Sequence, residues 1–276
     1  MQQTLFEFRC LGSGSSGNAY LFHTDEGFFL IDAGVAIRRL KKSLNDTGVT
    51  PSRLSAIFMT HDHSDHARNV GTLQQAAAKA GHSLTLYATA DAYESVCKNP
   101  TITHKPLPAH TVFLHKGQTE TCCGCEITPF HVPHDSDDNV GYFLRYGPHS
   151  LCLITDAGNI TGEMEHYVAA TDQLIIEANY DEGMLAAGFY PAFLKQRISG
   201  NRGHLGNTDA AELIYRHRHH LKQVWLCHLS ENNNTPQHAL DSIDTCFQTR
   251  GNCHPADYLK LSALPRTTAS DVFRLA

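Results

Sequence analysis

Short apolar runs bounded by glycine and polar turn residues alternate along this chain with stretches whose apolar positions recur every three or four residues. The first pattern predicts buried strands and the second predicts helices packed upon them. Runs at 27–34, 55–59, 84–88, 173–176 and 223–230 read as buried strands, 1–8 as a first strand, and 111–130 as strand, turn, strand. Residues 140–145 and 150–154 predict a hairpin around Gly147-Pro148, and 258–264 a final strand. Helical spacing predicts helices over 36–44, 90–98 and 162–170. Another starts near His66 and closes at Gly81, with Val70, Leu73, Ala77 and Ala80 inward. Tyr190-Pro191 opens a helix carrying Lys195 and Arg197. Asn207 or Thr208 is placed to cap a helix over 209–220. Thr235-Pro236 starts the last helix, with Leu240, Ile243 and Phe247 inward. No linker or low-complexity stretch interrupts the series, so the expectation is one domain spanning 1–276.

Two of the apolar strands end alike, Leu30-Ile31-Asp32-Ala33-Gly34 and Leu153-Ile154-Asp156-Ala157-Gly158 with Thr155 interposed. This weak repeat predicts two similar halves packed together, each a sheet with helices outside. Strands in such layers present their carboxyl ends to one crevice. The run at 55–59 ends in Thr60-His61-Asp62-His63-Ser64-Asp65-His66, three histidines and two aspartates in a turn-sized segment. On extended backbone His61 and His63 point to one side. Asp65 and His66 follow the turn and approach from a second direction. The strand ends together collect His61, His63, Asp65, His66, His134, Asp156 and His228. Seven nitrogen and oxygen ligands without a thiolate fit two divalent ions sharing a carboxylate, and zinc, manganese and iron all suit such donors. Asp32 is placed either to orient a ligand histidine or to form a turn.

Composition narrows the context. A hydrophobic content of 41% is that of an ordinary globular protein, and no apolar run approaches membrane-spanning length. The first residues lack the basic and apolar regions of an export signal. Nine irregularly spaced cysteines then read as reduced thiols of a cytoplasmic protein, those at 122, 123 and 125 included. The net charge of −6 gives no global attraction to nucleic acid, so any phosphate must be held locally. The basic run 216–222 reads as a solvated helix end that complements the helix dipole. The loop 11–20, with three glycines, lacks the spacing of a nucleotide-phosphate loop and reads as a tight turn between strands near the site.

The Thr60–His66 motif, with His134, Asp156 and His228 in order, resembles the metallo-β-lactamase superfamily. Further segments are similar to its YycJ/WalJ-like exonuclease branch. These are 13–18, Pro133-His134-Asp135 leading to Val140-Gly141-Tyr142, Glu177-Ala178-Asn179-Tyr180-Asp181, Gly203-His204-Leu205-Gly206-Asn207, and 228–233. The match runs from Phe6 to about Leu264, with Gly206 standing where the branch leads one to expect serine.

The resemblance implies an α/β fold, the αββα four-layer sandwich with two mixed sheets face to face. It implies one ion on His61, His63 and His134, another on Asp65, His66 and His228, and Asp156 between them. His131 competes with His134 for its place. The implied activity is a 5′–3′ DNA exonuclease, in which a hydroxide bridging the two cations attacks phosphorus. His204, beside Asp65 in the catalytic set, is expected to protonate the leaving oxygen or hold the phosphate. Asp32, Glu177, Asn179 and Arg202 are expected as supporting or substrate contacts, and Lys195 and Arg197 as candidate phosphate binders. Hydrolysis of a small phosphodiester, a cyclic phosphate, RNA, a thioester or a lactam on the same metals is the nearest alternative, because fold does not decide among these. A non-catalytic, metal-binding regulatory protein is the alternative of a different class. A purely structural metal site fits less well, since such sites are closed and four-coordinate.

Overall fold

The strands form two sheets because their sequences are apolar on alternating or on both faces. A computed structural model describes residues 5–275. The part of the first expected strand at Met1–Thr4 lies outside the described residues. In chain order the strands are β1 Phe6–Gly12, β2 Ala19–Thr24, β3 Gly27–Ile31, β4 Leu54–Phe58, β5 Thr85–Ala88, β6 Thr111–Phe113 and β7 Glu120–Cys122. They continue with β8 Cys125–His131, β9 Val140–Tyr146, β10 His149–Ile154, β11 Gln173–Glu177, β12 Gln223–Cys227, β13 Lys260–Ala263 and β14 Phe273–Arg274. Among the described residues, one sheet has the order β14-β1-β2-β3-β4-β5-β6 and the other β13-β12-β11-β10-β9-β8-β7. Both are mixed. β3 runs parallel to β4, with Ile31 beside Phe58, while β10, β11, β12 and β13 are mutually parallel, with Ile154 beside Ile176 and Ile176 beside Leu226.

Three apolar layers hold the sandwich. Between the sheets lie Phe8, Phe22, Phe29, Phe58, Tyr142, Ile175 and Trp225. Alternate residues of the same strands face outward. Leu54 and Ile57 of β4 meet helices α1 Ile37–Asp46, α3 Val70–Lys79 and α4 Ala90–Lys98. Leu174 and Ile176 of β11 meet α5 Gly162–Ala169, α8 Asn207–His217 and α9 Pro236–Gly251. Central parallel strands are thus buried on both faces, which is why they read as continuous apolar runs. The remaining helices are short: α2 Ser64–Ala67, α6 Glu182–Ala187 and α7 Ala192–Ile198. The arrangement is the αββα sandwich, helices outside two face-to-face sheets.

Several local expectations change. The helix expected from His66 to Gly81 is two, α2 and α3, parted at Asn69. Asn69 donates its amide to the carbonyls of Ala33 (2.9 Å) and Val35 (2.7 Å), which ties this break to the turn after β3. The N-cap of α8 is Gly206 rather than Asn207 or Thr208. Asn207 is buried and pairs with Asn234, while the Thr208 N–H donates to Glu182 Oε1 at 3.1 Å. A side chain on Gly206 would begin 2.5 Å from Glu182 Oε1, so a serine there would displace the Glu182 carboxylate from this position. The terminal strand is shorter than 258–264, and β14, which completes the first sheet beside β1, has no strong periodic signal. The basic run at the end of α8 is partnered locally. Arg216 pairs with Glu165, Lys222 with Asp172, and Arg218 lies over the Tyr215 ring at 4.0 Å.

Candidate metal centre

The carboxyl ends of β3, β4, β10, β11 and β12 converge on one cleft. Three of the residues just beyond these strands bend back sharply. Asp32 (φ 60°), Asp156 (φ 52°) and His228 (φ 52°) all adopt the left-handed backbone region. Non-glycine residues are uncommon there, and such strain persists only where surrounding contacts fix it. At His228 the fixing contact is its own N–H, which donates to Ser13 Oγ at 2.8 Å.

Four histidines are oriented by their Nδ1 partners. A carboxylate or carbonyl can only accept, so each such Nδ1 carries a proton and the Nε2 is the atom turned toward the cleft. His66 Nδ1 donates to Asp32 Oδ2 (2.7 Å), His228 Nδ1 to Glu177 Oε1 (2.8 Å), and His134 Nδ1 to the Gly203 carbonyl (2.7 Å). The Thr60 hydroxyl donates to Asp32 Oδ2 (2.9 Å) and accepts from His61 Nδ1 (3.0 Å). Asp32 therefore sets His66 directly and His61 through Thr60. His63 is turned the other way, its Nδ1 lying 3.3 Å from His134 Nε2.

The atoms turned inward face one another. Asp156 Oδ2 lies 3.4 Å from His61 Nε2, 3.3 Å from His66 Nε2 and 3.5 Å from His134 Nε2. Asp65 Oδ2 lies 3.7 Å from both His66 Nε2 and His228 Nε2. His61, His63, His134 and Asp156 form one group whose ligand atoms lie within 4.8 Å of one another, and Asp65, His66 and His228 form a second. His61 Nε2 and His228 Nε2 are buried without any hydrogen-bond partner. A buried, unpartnered polar atom is costly, and imidazole and carboxylate oxygen are the donors that divalent transition metals take. The residues present thus fit metal ions in both groups. A third group, Asp156, Glu177, His204 and His228, is equally close. There the Nδ1 protons of His204 and His228 both go to Glu177 Oε1, each at 2.8 Å, so it is a hydrogen-bond network.

Charge follows the same geometry. Burial pulls His66 down, but Asp156 and Asp32 outweigh it and hold it well above the ordinary imidazole range. His228 is likewise pushed up to about 10, burial being overcome by Asp156, Asp65 and Glu177. Burial would raise Glu177, yet the His204 charge and the two imidazole hydrogen bonds hold it down to about 2. His204 is raised, Glu177 outweighing its burial. Its side chain remains 23% exposed, within reach of a substrate. It lines a cleft of about 280 Å³ with Ser15, His63, Asp65, Asp156, Tyr190 and Arg197.

Other candidate residues fall outside the ligand groups. His131 lies exposed on β8 and is not brought in. Asp62 turns away to accept from Ser95 Oγ at 2.7 Å. Asn179 donates to the His228 carbonyl at 2.8 Å and supports that strained residue. Arg202 donates to the carbonyls of His134 (3.0 Å) and Ser136 (3.3 Å), so its guanidinium braces the loop rather than standing free for phosphate. Arg197 reaches Asp135 at the cleft edge, and Lys195 donates to the Ala186 carbonyl. The tight turn 13–18 packs against the ligand turn. Asn18 N–H donates to the Asp65 carbonyl (2.7 Å), and its side-chain amide lies 2.9 Å from His66 Nε2. Sequence reading missed Thr60 and Ser13, whose hydroxyls sit behind His61 and His228. Their position beside a ligand, or on the Gly-Ser turn, was the available signal.

Comparison with known proteins places the chain in a family. Residues 28–229 match the model of the beta-lactamase superfamily domain. The chain belongs to this superfamily. Exodeoxyribonuclease WalJ of Streptococcus pneumoniae is 34% identical over 85% of each chain, and exodeoxyribonuclease YycJ of Bacillus anthracis is 30% identical over 88% of this chain and 90% of its own. Among solved structures, the metallo-beta-lactamase fold protein YhfI from Bacillus subtilis superposes with a TM-score of 0.70 at 18% identity, covering 97% of this chain and 99% of its own. Human tRNase Z, short form, gives 0.64 at 15% identity over 96% and 98%. These two share the fold. Superfamily membership and the His/Asp cluster together mark the chain as a metal-dependent hydrolase.

Proposed function

We propose that this protein is a DNA exonuclease that hydrolyses phosphodiester bonds, acting from the 5′ end as one hydrolase domain in the cytoplasm. The observation that carries the reading is the pair of ligand groups, joined where Asp156 Oδ2 approaches His66 Nε2 at 3.3 Å, beside a cleft-lining histidine whose Nδ1 donates to Glu177. The exodeoxyribonuclease names of the relatives support DNA as substrate. Nine free thiols support a reducing compartment. Among the described residues no helix is long and apolar enough to cross a membrane.

In this reading His61, His63 and His134 hold one ion, Asp65, His66 and His228 another, and Asp156 serves both. Zinc or manganese is favoured, and iron also suits the donors. Such cations supply Lewis acidity to the phosphate and lower the pKa of water. The protein does the rest. Asp32 and Thr60 keep His66 and His61 oriented with Nε2 facing inward. Glu177 favours the imidazolium form of His204 through its Nδ1–H. As water adds to phosphorus and gives up a proton to solvent, the bond to the leaving oxygen breaks and His204 Nε2 gives that oxygen its proton. His204 then takes a proton back from solvent, and Glu177 stays ionised throughout. Such acid catalysis is worth roughly 10²–10⁴-fold in rate.

The test uses end-labelled DNA and RNA, single-stranded and duplex, with the protein freed of metal or supplied with manganese or zinc. An Asp65→Ala, His66→Ala variant is the control. Metal-dependent shortening of DNA from the 5′ end, absent in the control, is expected. Turnover of a small phosphodiester, RNA or a thioester without shortening of DNA would overturn the DNA assignment and leave the hydrolase site standing.

A further inference from the structure

Large apolar side chains on the surface call for a reason where they gather at the mouth of a cleft. Phe189 is 107% exposed and Phe193 73%, the two highest values among large hydrophobic side chains of the described residues. They flank Tyr190 and Pro191 at the start of α7. That helix carries Ala192, Phe193, Leu194 and Ile198, yet none of its residues is buried. Its apolar side chains therefore contribute little to the fold, since burial is what makes them stabilising. They do border the proposed active site. Tyr190, Leu194, Arg197 and Ile198 line the metal cleft. Phe193 lies one helical turn before Arg197, on the same face of α7. Tyr190 also walls an adjoining groove of about 540 Å³ with Phe189, Met184, Asn232 and Asn233. Its hydroxyl accepts from the Asn232 amide at 2.8 Å, which fixes the ring between groove and cleft.

We propose that Phe189, Tyr190 and Phe193 form a stacking platform for unpaired bases of the DNA strand whose phosphate lies in the metal cleft. This rests on the nuclease reading and adds how the strand is gripped. Three things on the surface choose this occupant. The aromatic faces are continuous with the cleft through Tyr190. Aromatic rings stack on any base, which suits an enzyme that must accept every sequence. And the chain carries a net charge of −6, so a long-range field cannot hold the strand. Contacts that do not depend on charge must then carry more of the affinity.

The test measures binding of a fluorescein-labelled single strand with phosphorothioate linkages, by anisotropy, to the metal-loaded protein. The Phe189→Ala, Phe193→Ala variant should bind roughly 10–100-fold more weakly, the loss that removing stacked aromatics produces. The slope of affinity against salt should be unchanged, because no phosphate contact is removed. Turnover of bis(p-nitrophenyl) phosphate should also be unchanged. Tryptophan at both positions should restore binding, and a strand with abasic sites should bind wild type as weakly as the double variant binds the normal strand. Wild-type affinity in the double alanine variant would overturn the platform alone. So would a fall from dimer to monomer in that variant, which would make this face a contact between two copies of the chain. A wild-type protein that turns over the small diester and binds no strand would overturn the nuclease reading and the platform with it.

Discussion

The two Asp-Ala-Gly turns of this protein have the same sequence and a left-handed aspartate each, yet they work at different depths. Asp32 follows β3 and Asp156 follows β10, with φ of 60° and 52°. Asp32 is sealed behind the site, where it accepts from the Thr60 backbone N–H, the Thr60 hydroxyl and His66 Nδ1. Burial raises its pKa above the ordinary carboxylate range, with His66 only partly opposing. Asp156 is as deeply buried but faces the imidazoles themselves. Burial would raise it too, but His228 and His66 hold it well below that range. The glycines differ in the same sense. A Cβ on Gly34 would lie 1.7 Å from the Asp65 carbonyl, and one on Gly158 would lie 2.4 Å from that of Asn201. Gly34 thus lets the ligand turn come close, and Gly158 lets the loop leading to His204 come close. What a strand-end carboxylate does is decided by what the neighbouring strand places in front of it.

The largest expected effect comes from exchanging the inner carboxylate. Asp156→Asn should abolish metal-dependent turnover and lower the metal content of the purified protein, read by elemental analysis. Asp32→Asn should lower activity and metal affinity by roughly 10–100-fold, the usual cost of losing a partner behind a ligand histidine. Equal losses in the two variants would break the distinction of depth.

The glycines sharpen it. Gly34→Ala should destabilise the fold by about 1–3 kcal/mol or more, as overpacking does, and should lower metal content, because the Asp65–His66 backbone must retreat. Gly158→Ala should keep its metals and lose turnover, because it displaces Asn201 and Arg202 near His204. Thermal unfolding with metal analysis checks both, and metal loss in Gly158→Ala alone would reverse the assignment.

The smallest effect is expected at the opposite end of the same sheet. Asp172 precedes β11 and accepts from Ser150 Oγ at 2.6 Å and from Lys222 Nζ at 2.9 Å. Burial alone would raise its pKa, but these partners outweigh it and hold it low. A carboxyl lowered on folding adds stability above its unfolded pKa of about 4, and loses it as pH falls through the folded value. Asp172→Asn should cost about 1 kcal/mol near neutral pH, less in acid, with turnover of the bound substrate unchanged.

Much of the fold is legible in the sequence because central strands buried on both faces leave continuous apolar runs. The candidate ligands are legible because Thr60–His66 crowds them into one turn and the other strand ends supply the rest. Depth is not legible. Nothing in Asp32-Ala33-Gly34 says that its carboxylate lies behind the imidazoles while that of Asp156 lies among them. The left-handed backbone at His228 leaves no mark either, because it depends on Ser13 from the far end of the chain. β14 is two residues long and depends wholly on its pairing with β1. The exposure of Phe189 and Phe193 is not legible either, because the helix opened by Tyr190-Pro191 shows in sequence without showing what covers it.

The most direct test of the account is anomalous diffraction from crystals of the metal-loaded protein, at the absorption edge of the bound metal. Two peaks are expected, one bounded by His61, His63, His134 and Asp156, the other by Asp65, His66, His228 and Asp156, with Asp32 and Glu177 contacting neither. A single peak, or one coordinated by Glu177 and His204, would contradict it.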